Sequence, residues 1–457
     1  MSCSDSRASR AIRRRAAQRG ALLLGAVHVL LAAGAALAQD TLTLPDALRN
    51  AQQRSGQLAA QQHAADAARA MAAAARELPH PQLRAGITNL PIEGEERWSL
   101  TRDFMTMRSI GLMQEFTRGA KRTARAARFE READAAEAGR LLALADVQRE
   151  AGMAWFDRHY GERMREVLIA LREETRLQVQ AADAAYRAAR GAQADVFAAR
   201  AAVAQIEDRI DANERSLAAA QARLARWVGA AAQRPLAPAP DITRLAVDAA
   251  EVEAQLAAHP QIRLIAQQEA VARAEADIAQ SEKKADWAVD LMYSQRGPAF
   301  SNMVSINVSV PLQWDQKNRQ EREVAARLSM AERMRAERED MERERAAQVR
   351  GWIVVWQGNV ERLRRYDTTL LPLAAERTRA ALAAYRGGGG GGSSAPGGMS
   401  AGGGTLAAVL EARRMEIDTR MEHLRLQMET ATVWTQLATA IPTDALAATA
   451  APKESPR

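Results

Sequence analysis

The tract Ala383-Ala384-Tyr385-Arg386-Gly387, a glycine-rich run, and then Thr405-Leu406-Ala407-Ala408-Val409-Leu410-Glu411-Ala412-Arg413 decides the fold, because it has an echo in the first half of the chain. The earlier copy reads Ala184-Ala185-Tyr186-Arg187, then Gly191, then Ala194-Asp195-Val196-Phe197-Ala198-Ala199-Arg200. Each copy breaks two long helical runs, so each is the turn of a helical hairpin. Two such hairpins at matched positions imply a duplicated chain.

The repeat extends well beyond the turns. Gln57-Leu58 through Ile87 aligns with Gln261-Ile262 through Leu291 at a shift of 204, and Ile110 to Lys121 aligns with Ile306 to Lys317 at 196. Tyr186 matches Tyr385 at 199, and Val196 matches Val409 at 213. Each half reads as helix, strand, strand, very long helix, turn, shorter helix. The first half places them at 48–77, 82–90, 108–116, 118–187 and 195–229; the second at 252–284, 286–294, 303–312, 316–386 and 405–440. Pro235, Pro238 and Pro240 mark the joint between the halves. The organisation expected is a leader at 1–38, a first repeat at 39–234, a linker at 235–246, a second repeat at 247–440 with its glycine-rich turn at 387–404, and a tail at 441–457.

Six arginines (Arg7, Arg10, Arg13, Arg14, Arg15, Arg19), an apolar run from Ala21 to Ala36 and the small-residue site Ala36-Leu37-Ala38 have the layout of a secretory signal peptide. Without residues 1–38 the formal charge falls from +7 to +2, so the high pI does not argue for a nucleic-acid partner. The single cysteine, Cys3, leaves with the leader, which excludes a disulfide, a thiol nucleophile and an acyl anchor. An aromatic content of 4% argues against large compact cores and for long packed helices.

The strands are recognised by phase. Val304, Ile306, Val308, Val310 and Leu312 alternate with Ser305, Asn307 and Ser309; Trp287, Val289, Leu291 and Tyr293 alternate with Ala288, Asp290, Met292 and Ser294. Leu83, Ala85 and Ile87 oppose Arg84, Gly86 and Thr88, while 108–116 is less regular, with Gln114 among Ile110, Leu112 and Phe116. One apolar and one polar face is the pattern of a transmembrane β-strand, although soluble hairpins packed on helices share it. Seven of the nineteen aromatics (Trp98, Phe104, Phe116, Trp287, Tyr293, Phe300, Trp314) fall in these hairpins, as interfacial girdles do. By this phase Arg84, Glu115, Asp290 and Asn307 share the polar, lumen-facing side.

The helices are recognised by length and heptads. The run 118–187 has no proline and is about 105 Å long if continuous. Val196, Val203, Ile210, Leu217 and Leu224 form one coiled-coil seam; Leu410, Ile417, Leu424, Ala431 and Ala438 form another. Asn213 beside the first seam suggests broad, multi-helix packing. The class expected is mainly α with a small β part: coiled-coil helical hairpins and four membrane strands. Four strands cannot close a barrel alone, so several chains must share one.

With Gln114-Glu115-Phe116 before Gly119-Ala120-Lys121-Arg122, the Tyr186–Arg200 turn and Leu406…Val409-Leu410-Glu411-Ala412-Arg413 in this order, the chain resembles the TolC family of outer-membrane efflux channels. The stretch Thr88-Asn89-Leu90-Pro91…Leu100-Thr101-Arg102-Asp103-Phe104-Met105-Thr106-Met107 is also similar to the heavy-metal, CzcC-like branch. The resemblance implies a homotrimer in outer-membrane lipid with a barrel of about twelve strands. It further implies a passive, non-enzymatic duct fed by an inner-membrane pump of RND type through a periplasmic adaptor. The docking tips would be Tyr186, Arg187, Gly191, Asp195, Val196 and Arg200 in one hairpin, and Tyr385, Arg386, Leu406, Val409, Leu410 and Arg413 in the other. A soluble periplasmic coiled-coil adaptor is the competing class; it would show one helical hairpin flanked by β-rich segments.

No cofactor motif or nucleophile–base pair is present, and His63, His80, His159, His259 and His423 lack ligand spacing. Met105, Met107 and Met113 lie near a strand and suit packing or lipid contact better than a soft metal ion. Glu93, Glu95 and Glu96 read as a solvated loop. The shift between repeats grows by fourteen across the second turn, and eleven of its eighteen residues are glycine. Such a run has little to bury and should be disordered in the free protein. Lengthening a flexible loop costs little closure entropy, so shortening 387–404 to four residues is expected to leave efflux unchanged in cells carrying the native adaptor. Lost efflux with folding intact would instead give the run a part in docking.

Overall fold

The computed structural model describes residues 41–189, 191–245, 255–387 and 406–440, with Leu256 described in its backbone only. The leader, the glycine-rich run from 388 onward and the tail from 441 lie outside these residues. The elements are α1 (Leu44–Arg54), α2 (Gly56–Arg76), β1 (Gln82–Thr88), β2 (Met107–Phe116), α3 (Gly119–Arg187), α4 (Gln193–Val228), α5 (Pro260–Glu282), β3 (Trp287–Gln295), β4 (Met303–Ser309), α6 (Gln320–Arg365), α7 (Leu371–Gly387) and α8 (Leu406–Thr439). The order helix, strand, strand, long helix, helix thus occurs twice.

The differences from the expected boundaries have local causes. The first helix begins at Leu44 and is broken at Ser55, whose hydroxyl accepts from the Leu58 N–H and caps α2. Helix α5 starts at Pro260, with His259 as its cap, rather than at 252. Strand β1 stops at Thr88 because Asn89 turns to a φ of 57°. Strand β4 stops at Ser309 rather than 312, just before Pro311, which has no N–H to give a ladder. Helix α6 starts at Gln320 because the Asp315 carboxylate holds Asn318 in a turn, accepting from its backbone N–H at 3.3 Å. A π-helical turn, Tyr366–Leu370, separates α6 from α7. Pro372 explains it: a proline inside a helix removes one bond and crowds the carbonyl four residues back, and the wider turn relieves both.

The chain divides into two compact units. One comprises residues up to Asn50 together with Ala154–Pro240. Here the end of α3 packs on α4 through the heptad seam: Val196, Ile210 and Leu224 are buried and Val203 and Leu217 half-buried. Asn213 beside this seam ties the two helices together, its Nδ2 donating to the Gly161 carbonyl at 3.0 Å. The bare Gly161 also lets Leu217 approach, since a Cβ there would lie 3.3 Å from its Cδ1. The segment before α1 forms a parallel bridge, Leu42 to Leu236, and the buried Trp155 indole donates to the Leu42 carbonyl at 3.1 Å. Arg158, also buried, donates to the carbonyls of Ala232 and Arg234 at 2.6 and 2.9 Å, which fixes the chain just before the proline joint. Burial lowers His159 to about 4, and its neutral ring stacks on Trp155.

The other unit, Ala51–Met153 with Asp241 onward, contains the sheet and helices α2, α5, α6, α7 and α8. Its apolar centre is Val349, Val433, Leu437 and Ala440, flanked by Trp352, Ile353 and Trp356. Trp356 and Trp434 donate to the carbonyls of Ile242 and Arg244 at 3.0 and 2.7 Å, pinning the chain entering this unit. On α8 the buried face includes Val409, Ala412, Glu416, Leu426 and Thr430 as well as Ile417 and Ala431, so it is broader than the single seam expected.

The sheet joins the helices through a shielded ion pair. Lys121 Nζ donates to Asp286 Oδ2 at 2.7 Å, while Asp286 Oδ1 accepts the Arg118 N–H at 2.9 Å. Burial pushes the Asp286 carboxyl up, but the bonds from Lys121 and Arg118 and the nearby positive charges outweigh it and hold it below the usual range. Such a carboxylate contributes stability above its unfolded value, lost as pH falls through about 3.9 and on toward the lower folded value. Lys121→Met strands the charge at a cost on the order of 3 kcal/mol. It should lower the calorimetric unfolding temperature at neutral pH, with a gap to wild type that narrows on acidification. A gap constant across the acid range would reject the pair as the cause.

Candidate functional site

The four strands form one antiparallel sheet in the order β1-β2-β3-β4. Leu83, Leu112, Leu291 and Ile306 stand in one row, and Ala85, Ile110, Tyr293 and Val304 in the next. Side chains alternate between faces along each strand, so these rows share a face with Trp287 and Val308. This apolar face is the exposed one: Leu83 is 68% and Ile306 69% accessible. The opposite face carries the polar residues, and on β3 it is covered: Asp290 is 8% and Ser294 5% accessible. The arrangement reverses that of a soluble sheet, which buries its apolar side. Gln114, irregular in the sequence pattern, donates to the Pro79 carbonyl at 2.8 Å and so satisfies backbone at the sheet's end.

The register brings three of the four polar-face residues together. Gln82, Met113, Asp290 and Asn307 form one row, and Arg84 lies in the next with Gly111, Met292 and Ser305. Arg84 Nη1 donates to Asp290 Oδ2 at 2.6 Å, across β2, and its Nη2 lies 3.2 Å from Met113 Sδ. Gly111 permits tight pairing beneath: a Cβ there would lie 2.6 Å from the Leu291 carbonyl oxygen. Glu115 shares the face one row further toward the helices, opposite Ala288, and is exposed. The connections at the far end are tied to each other. Arg296 donates to the Phe104 carbonyl, with its Nε at 3.0 Å, and Gly297 lies so close to the Thr101 carbonyl that a Cβ there would clash with it.

The expected tip residues fall into two environments. In the first hairpin Tyr186, Arg187 and Arg200 are exposed, Gly191 and Asp195 are half-buried, and Val196 is buried. Arg187 pairs with Asp183 at 2.7 Å, and the Asp195 carboxylate accepts the Ala192 N–H at 3.2 Å, capping α4. In the second, Leu406 and Val409 are buried, Tyr385, Leu410 and Arg413 half-buried and Arg386 exposed; Arg413 pairs with Glu416 at 3.1 Å. Phe197, more exposed than Tyr186, was not singled out in the sequence; its place beside the buried Val196 on a heptad was the available signal. Among the described residues no group of three or more His, Cys, Asp or Glu side chains is placed to hold a metal ion, and no helix is long and apolar enough to cross a membrane.

No known family profile and no curated protein matches the chain. Solved structures do. The outer membrane protein VceC of Vibrio cholerae aligns with a TM-score of 0.68 at 16% identity, over 87% of this chain and 95% of that one. The outer-membrane channel OprN aligns at 0.69 and 15% identity, over 87% and 89%. A membrane protein of Pseudomonas aeruginosa aligns at 0.71 and 14% identity, over 87% and 89%. The chain therefore has the α/β channel fold of TolC-like outer-membrane proteins.

The two faces make opposite demands on a substitution. Val308→Arg is expected to impair membrane assembly, by about 2–4 kcal/mol at mid-bilayer depth. Asn307→Arg should assemble normally, both scored by the folded fraction in outer-membrane extracts. Equal tolerance at the two positions would reject this assignment of faces.

Proposed function

We propose that the chain is one subunit of an outer-membrane efflux duct of the TolC family, a passive exit for substrates delivered by an inner-membrane pump through a periplasmic adaptor. The observation that carries this reading is the sheet whose apolar face is exposed and whose outer edges, on β1 and β4, have no strand partner among the described residues. An open edge in hydrocarbon leaves backbone groups unpaired, so β1 of one copy is read as pairing with β4 of the next. Three copies would close a barrel of about twelve strands. The polar face, with Arg84, Glu115, Asp290 and Asn307, then lines the lumen. The exposed Tyr186, Phe197 and Arg200 of the first hairpin, with Arg386 of the second, offer contacts for the adaptor. The pump, of RND type in this reading, selects the cargo, which is metal cations or small toxic compounds. The duct itself performs no covalent chemistry.

The soluble-adaptor reading fits less well, since two helical hairpins each preceded by two strands occur where an adaptor would show one. Fractionation separates the readings. The duct should appear in the sarkosyl-resistant outer membrane and purify in detergent as a trimer by native mass analysis. Soluble periplasmic protein, or a stable monomer retaining all its β-structure, would overturn the reading.

A further inference from the structure

Four methionines lie within the strands, and all four share one face. Met113 is opposite Asp290, Met292 is opposite Gly111 and Ser305, Met303 is opposite Ser294, and Met107 is opposite Thr88. This is the face of Arg84 and Asp290, not that of Leu83, Leu112, Leu291 and Ile306. A methionine needed only as an apolar side chain belongs on the other side. Met113, Met292 and Met303 moreover step diagonally across three adjacent strands, at the spacing of about 7–8 Å that long side chains bridge.

At the Met113 end of this diagonal a cation is already held. The Arg84 guanidinium donates to Asp290 Oδ2 and lies against Met113 Sδ, so one carboxylate oxygen and one thioether share its charge. The other oxygen, Asp290 Oδ1, is buried and has no hydrogen-bond partner. A buried carboxylate with half its accepting capacity unfilled invites a second positive group. Gly111, between Arg84 and Met292 in their row, has no side chain to separate them. Arg84 itself has 47% of its side chain exposed, and its long flexible stem lets the guanidinium swing away.

We propose that Asp290, Met113 and Met292 form a transit site for a soft monovalent cation, Ag(I) or Cu(I), at which Arg84 is a tethered competitor. It rests on reading the polar face as the duct wall. Thioethers favour soft ions, and Asp290 supplies the charge. Ca(II) and Mg(II) require six or more oxygen ligands, which this cluster does not offer. The competitor keeps the site weak, as passage requires: an ion must bind well enough to enter and loosely enough to leave, with Met303 next along the diagonal.

The test uses the full chain in detergent, labelled with 13C at the methionine methyls and titrated with silver nitrate in chloride-free buffer. The Met113 and Met292 signals should move together, and Ca(II) should move neither. Arg84→Gln should tighten Ag(I) binding at least tenfold; adding Met113→Leu or Asp290→Asn to it should reverse the gain. If Arg84→Gln does not fold, the near-isosteric Met113→Leu and Met292→Leu in the wild-type chain decide, each expected to weaken binding at least threefold. Signals that stay still, affinity indifferent to these changes, or equal shifts at the exposed Met71, Met330 and Met415 would overturn the site. Outer-membrane trimers without Ag(I) binding would defeat the site alone. Binding by a protein absent from the outer membrane would defeat the duct reading.

Discussion

An exposed apolar sheet face, bounded by two edges that have no strand partner among the described residues, is the constraint on which the rest of the structure depends. In water that face would aggregate, and in lipid each unpaired backbone group on an open edge costs several kcal/mol. Neither solvent suits such a sheet by itself; in the proposed duct hydrocarbon covers the face and the strands of further copies cover the edges. The polar residues follow from the same constraint. Asp290 and Ser294 are withdrawn to the opposite side, where Arg84 reaches across β2 to neutralise the carboxylate.

Where strands give way to helices the backbone changes period, and side chains fill the gaps left in its hydrogen bonding. Asp286 accepts the Arg118 N–H before α3 begins. Gln313 and Gln316 donate to the carbonyls of Glu282 and Lys283 at the end of α5, at 3.0 and 3.2 Å. Gln114 does the same for Pro79. Beside these polar bonds Phe116 stacks on Trp287 with ring centroids 4.4 Å apart. An aromatic pair next to a row of satisfied polar groups suits a water–hydrocarbon boundary, where one side must be apolar and the other wet.

The helical parts are held differently. Most ion pairs along α3 and α6 are exposed and contribute little each. Buried and half-buried polar tethers act here instead: three indoles donate to chain carbonyls, and Arg158 closes on two more. Glu269, buried on α5, accepts from Arg338 of α6 at 2.7 Å, fixing the register of that pair. The indoles and Arg158 thus satisfy backbone carbonyls outside the long helices and the sheet.

Periodicity determined what depends on one element at a time. The start of α3 was legible to one residue, because nothing between Gly119 and Arg187 interrupts a helix. Strand phase was legible because apolar residues recur every second position, and that alone assigned Arg84, Asp290 and Asn307 to one side. The breaks at Ser55 and Tyr366–Leu370 were not read, since a cap and a relaxed turn near a proline leave the surrounding helical pattern intact. Nor could the sequence place Arg84 on Asp290, far away in the chain, or bring Met113 against Arg84. Those contacts depend on the register of β1 on β2 and of β2 on β3, which hydrogen bonding between distant segments sets. Alternation states which face a side chain takes; only the paired sheet decides which neighbours it meets there.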